Sequence, residues 1–374
     1  MIKVAEVTTR KQQKAFLDFP LGLYRGNPYF VPPIYSEEKQ IFSPDYAYYD
    51  QSEAVYYLAM RGNKVVGRIS GILHRGSNQI HRHKRVRFTR FDTINDLEVA
   101  QALFAQLENW AREKNMDTIC GPLGFSNLER EGLLIEGFDQ LSTFSEQYNF
   151  SYYGELIEKC GYQKEVDWIE SKIYAPDEKS YNRLQRIAEK SMEKNHLTLC
   201  HFRSTKELID RYATKIFDIL DEGYADLYDT VPLTPAVRKL ACKNFEAILN
   251  LDYVGVIVNE QDEIVCFGVC FPFIGEALQK SGGHLTPLTL WRLMKVLKKP
   301  RILELGLITV ASKYRNMAGN AIALAGLARI LKESNIEYAE TNLNLEHNMN
   351  IRQMWKRFSS EEHKRRRSYV KSLT

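Results

Sequence analysis

The stretch that decides the reading is ELGLITVASKYRNMAGNAIALAGLARIL, residues 304–331. It runs from an apolar strand pattern into a short polar loop, then into a segment whose apolar residues recur with helical period. Gly319, with the small Ala318 and Ala321 nearby, lets a ligand approach the backbone without a Cβ in the way. The first amides of a helix lack acceptors of their own and, with the helix dipole, attract anions. Each such interaction contributes about 0.3–1 kcal/mol when exposed. Lys313 and Arg315 add positive charge at the same place. A diphosphate suits this arrangement; a tight turn with small residues for packing is the other reading that the local pattern allows.

Working outward, the chain reads as two copies of one order of elements. Each half has a short strand and then a helix preceded by Ser or Thr at the cap position, IKVAEVTT before RKQQKAFLDF and LTLCHFRST before KELIDRYATKIFDIL. A hairpin follows in each: 54–73 turning at Arg61-Gly62-Asn63, and 252–273 turning between Asn259 and Glu263. Next come a strand and a long amphipathic helix, RVRFTRFD with LEVAQALFAQLENWAREK and RILELGLITV with NAIALAGLARILKES. A further strand (117–123 and 336–345), a helix and a final strand close each half. This alternation predicts an α/β protein with α+β mixed sheet, its halves 1–175 and 176–374 joined at Ala175-Pro176-Asp177. The second half adds a helix over 178–194 and an inserted helical piece, LTPLTLWRLMKVLKK (285–299).

The first half lacks the Gly-containing turn. After its central strand it carries Asp92, Asp96 and Glu98, charges expected to repel a diphosphate and to favour the start of the next helix. The polar stretch 124–139 is expected as a long loop lining a substrate site.

Composition bounds the partners. With 44% hydrophobic and 26% charged residues, 21 Tyr and 18 Phe, the 374-residue chain can bury a sizeable core, which excludes a disordered protein. A net charge of +4 is too slight by itself to imply nucleic acid or an anionic membrane. The basic clusters 81–87 and 363–371 read as a loop entering a strand and as a charged strand. The opening MIKVAEVTTRKQQ has no basic segment leading into an apolar run, so a cytoplasmic protein is expected. Six scattered cysteines without a CxxC pair are expected as reduced, mostly buried thiols, and eight histidines without ligand spacing predict no metal.

YRNMAGNA resembles the R/Q-x-x-G-x-G/A signature of the GNAT superfamily, the acyl-CoA N-acyltransferases, with Asn316 in place of Gln or Arg and Arg315 one residue further out. The pieces FPLGLYRGNPYFVPP (19–33) and GLLIEGFD (132–139) make nearly the whole chain similar to a group of bacterial tandem-GNAT proteins. The resemblance implies two tandem GNAT-like domains. The N-terminal one is degenerate, since only NFSYYGELIEKCGY (149–162) keeps the look of the superfamily's last helix.

It further implies that the amides of Asn316, Met317, Ala318, Gly319, Asn320 and Ala321 hold the CoA diphosphate, helped by Lys313 and Arg315, while Ile308, Thr309 and Val310 pair with the pantetheine arm. Asn348 and Trp355 match the superfamily's Asn and, seven residues on, Tyr at the thioester end. Trp departs from the pattern, because an indole is a poor proton donor to a thiolate. Glu304 is the first candidate base and Glu346 the second; a solvated or ion-paired carboxylate is the plain alternative for each. The implied activity is acyl-CoA-dependent N-acyl transfer, most simply from acetyl-CoA, to a small-molecule or peptide amine, with no nucleic-acid or membrane partner. Fem-like transfer from aminoacyl-tRNA and a non-catalytic CoA-binding protein are the alternatives.

Overall fold

The computed structural model describes residues 1–315 and 319–373. Asn316, Met317 and Ala318 of the expected diphosphate turn therefore lie outside the described residues. The first half contains β1 (Ile2–Glu6), α1 (Arg10–Leu23), α2 (Tyr35–Glu38), β2 (Ser52–Arg61), β3 (Lys64–His74) and α3 (Arg75–Ile80). It continues with β4 (Arg85–Thr93), α4 (Leu97–Glu113), β5 (Thr118–Gly121), β6 (Leu133–Glu136), α5 (Tyr152–Lys159) and β7 (Gln163–Tyr174). The second half begins with α6 (Glu178–Lys194), β8 (Thr198–Leu199), α7 (Thr205–Tyr224), α8 (Pro235–Glu246), β9 (Val254–Val258), β10 (Ile264–Pro272) and α9 (Gly275–Gln279). It ends with α10 (Pro287–Lys298), β11 (Ile302–Val310), α11 (Gly319–Glu333), β12 (Tyr338–Glu340), β13 (Asn344–Leu345), α12 (Met349–Trp355) and β14 (Ser359–Ser372).

Two compact units result. One holds Met1–Ile169, Gly275–Leu290 and the C-terminal residues from Lys364; the other holds Glu170–Ile274 and Trp291–His363. A single cut at Ala175 does not reproduce them, because the last strand of each half is divided. Residues of β7 beyond Ile169 pair with β12, Ile173 opposite Ala339, in the second unit. Residues of β14 beyond His363 pair with β5 and β6 in the first, Tyr369 opposite Gly121 and Arg367 opposite Leu133.

Strand order is the same in both units. In the first, β1-β2-β3-β4 run antiparallel, β4 pairs parallel with β5, and β14 pairs antiparallel with β5. In the second, β8-β9-β10-β11 run antiparallel, β11 pairs parallel with β12, and β7 pairs antiparallel with β12. Both fourth strands carry a bulge, seen as register shifts between Arg68 and Ser70 on β3 and between Gly268 and Cys270 on β10. Arg90, in the bulged part of β4, has φ +50°, a left-handed conformation uncommon for a non-glycine residue.

The helices form where periodicity and caps agree. Thr9 and Gln12 make a reciprocal capping box on α1, and Ser204 accepts from the Glu207 amide to start α7. Helix α4 buries Val99, Leu103, Phe104, Leu107 and Trp110 on one stripe against Phe88 and Phe91 of β4. Helix α11 does the same with Ile322, Leu324, Ala325, Ala328 and Leu331 over Leu303 and Val310 of β11. Full burial of each such leucine or phenylalanine contributes about 1.5–3 kcal/mol. All six cysteines are free thiols, and burial pushes Cys266 and Cys270 up to about 12, which removes them as nucleophiles.

Two expectations need correction. Residues 124–139 are not a free polar loop. Phe125 is packed among Tyr46, Tyr48 and Tyr49, Glu129 accepts from the Tyr46 hydroxyl at 2.9 Å, and Leu133–Glu136 form strand β6. Nor is Asp92 an exposed charge: it is 1% exposed at the end of β4 and ion-paired with Arg68 at 2.8 Å.

Candidate active site

β11 and β12 pair over only three positions, Ile302 with Tyr338, Leu303 with Ala339 and Glu304 with Glu340. β11 then continues to Val310 while β12 ends, so the parallel pair diverges just past the two glutamates. The backbone of β11 beyond that point faces side chains. Asn342 Nδ2 donates to the Gly306 carbonyl at 2.8 Å. The Tyr224 hydroxyl donates to the Ile308 carbonyl at 3.1 Å and accepts from its amide at 3.4 Å. Thr309 Oγ1 donates to the Ile219 carbonyl of α7 at 3.2 Å. Gly223 lets α7 come this close, for a Cβ there would lie 2.5 Å from Thr309 Oγ1.

At the far end of β11, Arg315 Nε donates to the Val310 carbonyl at 3.0 Å, and Lys313 is exposed, its Nζ 5.4 Å from the Tyr314 ring centre. The 15-residue α11 starts at Gly319, directly against this strand end. A Cβ on Gly319 would sit 2.6 Å from Val310 Cγ1 and 2.9 Å from the Tyr314 carbonyl oxygen. The glycine is thus required first by the protein's own packing. Asn320 and Ala321 continue the first helical turn. Lys313 and Arg315 thus follow the end of β11 and precede the start of α11 in the chain, and a helix start is a place where backbone amides attract anions.

The two glutamates share the sheet face opposite Leu303 and Ala339, by the alternation of strand side chains. Glu304 is 1% exposed and Glu340 3% exposed. His363, invisible to motif reading because it comes from β14, has Nε2 3.1 Å from Glu340 Oε1 with a side chain only 2% exposed. Glu346 stands elsewhere, in the turn before α12. Its Oε1 is 3.4 Å from His347 Nε2, and its carbonyl accepts from Arg352 at 3.4 Å.

The hydrogen bonds of Asn348 and Trp355 are structural. Asn348 caps α12 by accepting from the Ile351 amide at 3.3 Å, and the Trp355 indole N–H donates to Asn344 Oδ1 at 2.7 Å inside the core beside Phe358. Tyr224 is the hydroxyl the sequence did not announce. Burial raises its pKa to about 12, partly opposed by the Ile308 backbone hydrogen bond, so it is a neutral phenol able to donate.

The equivalent place in the first unit is filled. β4 pairs with β5 only from Arg85 to Arg87, and beyond that the Phe88 carbonyl accepts from the Leu123 amide at 2.9 Å. Tyr152 donates to the Thr93 carbonyl at 2.7 Å, and Tyr153 accepts from the Thr93 amide at 3.0 Å. Tyr24 donates to Asp92 at 2.8 Å and reaches Tyr153 at 2.9 Å. Asp96 caps α4 and pairs with Arg61. Tyrosines around an Asp92 that is ion-paired with Arg68, more than carboxylate repulsion, distinguish this half.

An antiparallel meander leading into a parallel pair that diverges, with a helix after the fourth strand, is the GNAT fold, here in two copies. Solved structures bear this out: a tandem GNAT protein from the clavulanic acid biosynthesis pathway aligns over 100% of this chain and 99% of its own, with TM-score 0.56 and 13% identity. A fungal GCN5-related glucosamine N-acetyltransferase region aligns over 99% of this chain and 38% of that larger one, with TM-score 0.55 and 10% identity. By sequence, the chain is 26% identical over 370 residues to Protein YghO of Escherichia coli (strain K12), covering 96% of this chain and 93% of that one. It is also 26% identical over 315 residues to the bacterial ceramide synthase of Caulobacter vibrioides (strain NA1000 / CB15N), covering 82% and 80%. No protein-family profile matches the chain. Among the described residues no helix is long and apolar enough to cross a membrane.

Proposed function

We propose that the protein transfers an acyl group from an acyl-CoA thioester to an amine, at the divergence of β11 and β12. The observation that carries this reading is the coincidence on one strand of a lost parallel partner after Glu304 and a positive helix start after Val310. In this reading Ile308, Thr309 and Val310 offer backbone to the pantetheine arm, while Lys313, Arg315 and the start of α11 hold the diphosphate. The amine lone pair attacks the thioester carbonyl, a C–N bond forms, and the C–S bond breaks. Glu304, or Glu340 with His363 beside it, accepts the amine proton directly or through water. Tyr224 is the phenol placed to return a proton to the departing thiolate.

Acetyl-CoA is the simplest donor. The relative named a bacterial ceramide synthase points instead to a long acyl chain and a long-chain amino alcohol, since a ceramide is the amide of a fatty acid and a sphingoid base. A thermal-shift series with acetyl-, octanoyl- and palmitoyl-CoA, followed by thiol release with amines that include sphingoid bases, tests the reading. Stabilisation by at least one thioester, and thiol release with an amine, are expected.

A second reading has its own observation. Tyr224 and Asn342 already satisfy β11 backbone groups where the pantetheine arm would pair. A non-catalytic protein on the same fold would keep them there, and no acyl-CoA would raise its melting temperature or lose its thiol.

A further inference from the structure

Eight large apolar side chains are exposed among the described residues, and five of them fall in one short stretch: Leu285, Leu288, Leu290, Trp291 and Met294, 41–57% exposed. Four of these lie on α10, whose Thr289 and Leu293 are the buried side of the helix. Residues 284–299 contain no Asp or Glu and carry Arg292, Lys295, Lys298 and Lys299. Helical spacing puts Leu288, Trp291 and Lys295 on one line and Leu290, Met294 and Lys298 on the next. Lys295 Nζ lies 5.9 Å from the Trp291 ring centre, so cation and indole share the same outward surface.

We propose that α10 docks this protein on the surface of a lipid bilayer containing anionic lipids. Leu288, Leu290, Trp291 and Met294 enter the boundary between headgroups and acyl chains, and the four basic residues meet the lipid phosphates. A helix that combines an apolar face, a tryptophan and unopposed lysines is suited to that boundary. At 12 residues α10 is about 18 Å long, against a hydrocarbon core of about 30 Å, so it lies on the membrane and does not span it.

Charge selects the bilayer over a second copy of the chain. In a two-fold contact α10 would face itself, setting Lys295 and Lys298 against their own equivalents with no acid on the helix to balance them. Lysine is also depleted from the centres of protein–protein interfaces. The small net charge of the chain hides this patch, because the balancing acids lie elsewhere. Docking would hold the protein where long-chain acyl substrates partition, but the case rests on α10 and stands without the acyl-transfer reading.

The test is co-sedimentation of the full chain with vesicles of phosphatidylcholine alone and of equal parts phosphatidylcholine and phosphatidylglycerol, with no acyl-CoA present. Binding to the anionic vesicles is expected, at least about tenfold stronger than to the neutral ones. Trp291 is exposed whereas Trp110, Trp168 and Trp355 are buried, so its emission should shift to the blue on binding. The double substitution Trp291→Ser with Met294→Ser should weaken binding about tenfold with the melting temperature unchanged, and Lys295→Glu with Lys298→Glu should remove the preference for anionic lipid. No vesicle binding, equal binding by the Ser variant, or a dimer that the Ser variant splits would each overturn the proposal.

Discussion

The hydroxyl of Tyr224 is bound to both the carbonyl and the amide of Ile308, closing a two-bond clasp between the last residue of α7 and the diverging strand β11. A pantetheine arm pairing with that strand has to replace the clasp. Tyr224→Phe removes the competitor and should tighten acyl-CoA binding about three- to tenfold while costing the free protein about 1 kcal/mol. If the same phenol protonates the departing thiolate, kcat falls as affinity rises. Calorimetric titration and steady-state thiol release separate the two effects; unchanged affinity would place the pantetheine elsewhere.

Gly319 is a packing residue before it is a ligand residue. Gly319→Ala at the first residue of α11 gains less than the ~1 kcal/mol of helix propensity that applies in a helix interior, and the new Cβ would meet Val310 and the Tyr314 carbonyl well inside contact distance. A net loss of about 1–2 kcal/mol is expected in urea unfolding. The cleaner probe of the diphosphate corner is exposed Lys313. Lys313→Ala should leave unfolding unchanged and weaken acyl-CoA binding several-fold, more at low salt than at high.

Trp355 should matter for stability and not for proton transfer. Its indole N–H is engaged by Asn344 within the core. Trp355→Phe is expected to cost about 1–3 kcal/mol by stranding the Asn344 oxygen, with turnover per folded molecule unchanged. A fall in kcat per folded molecule, with KM unchanged, would return Trp355 to the reaction.

Adjacent glutamates in the first unit should give stability opposite pH dependences. For Glu37, burial raises the pKa to about 7, Arg130 opposing and the Glu38 charge assisting. Its neutral form is favoured on folding, so that contribution is complete below the ordinary value of 4.5 and is lost as pH rises through about 7. For Glu38, burial is outweighed by Arg90, which pairs with it at 2.6 Å and holds it near 2. That contribution is present above 4.5 and lost as pH falls toward about 2. Glu37→Gln should therefore flatten the decline of stability between about pH 4.5 and 7, read by denaturant titration across pH. Glu38→Gln should cost about 1.5–3 kcal/mol at neutral pH by removing the charge paired with the part-buried Arg90, which keeps only Glu129 as a further carboxylate nearby.

The mixed-sheet fold was legible because its long elements carry local signals. Helix α4 has a clear apolar period and an Asp cap, the β2–β3 hairpin turns at Gly62, and α6 occupies the span its pattern predicts. The occupants of the gap were not legible. Tyr224 lies 84 residues from Ile308 and Asn342 lies 36 from Gly306, separations at which no periodicity links partners. His363 reads as part of a basic strand until the sheet brings it to Glu340. The pairings of β7 with β12 and of β14 with β5 are likewise long-range. Superfamily resemblance pointed to Asn348 and Trp355 at the thioester end, while the bonds they make hold α12 and the core.

Backbone hydrogen exchange, with and without a saturating non-hydrolysable acyl-CoA analogue, tests the central claim most directly. Slowed exchange is predicted at Ile308–Val310 and in the first turn of α11, with residues 88–98 of the first unit unchanged. Binding that protects residues 88–98 and leaves β11 and α11 untouched, or no binding by any chain length, would contradict the account.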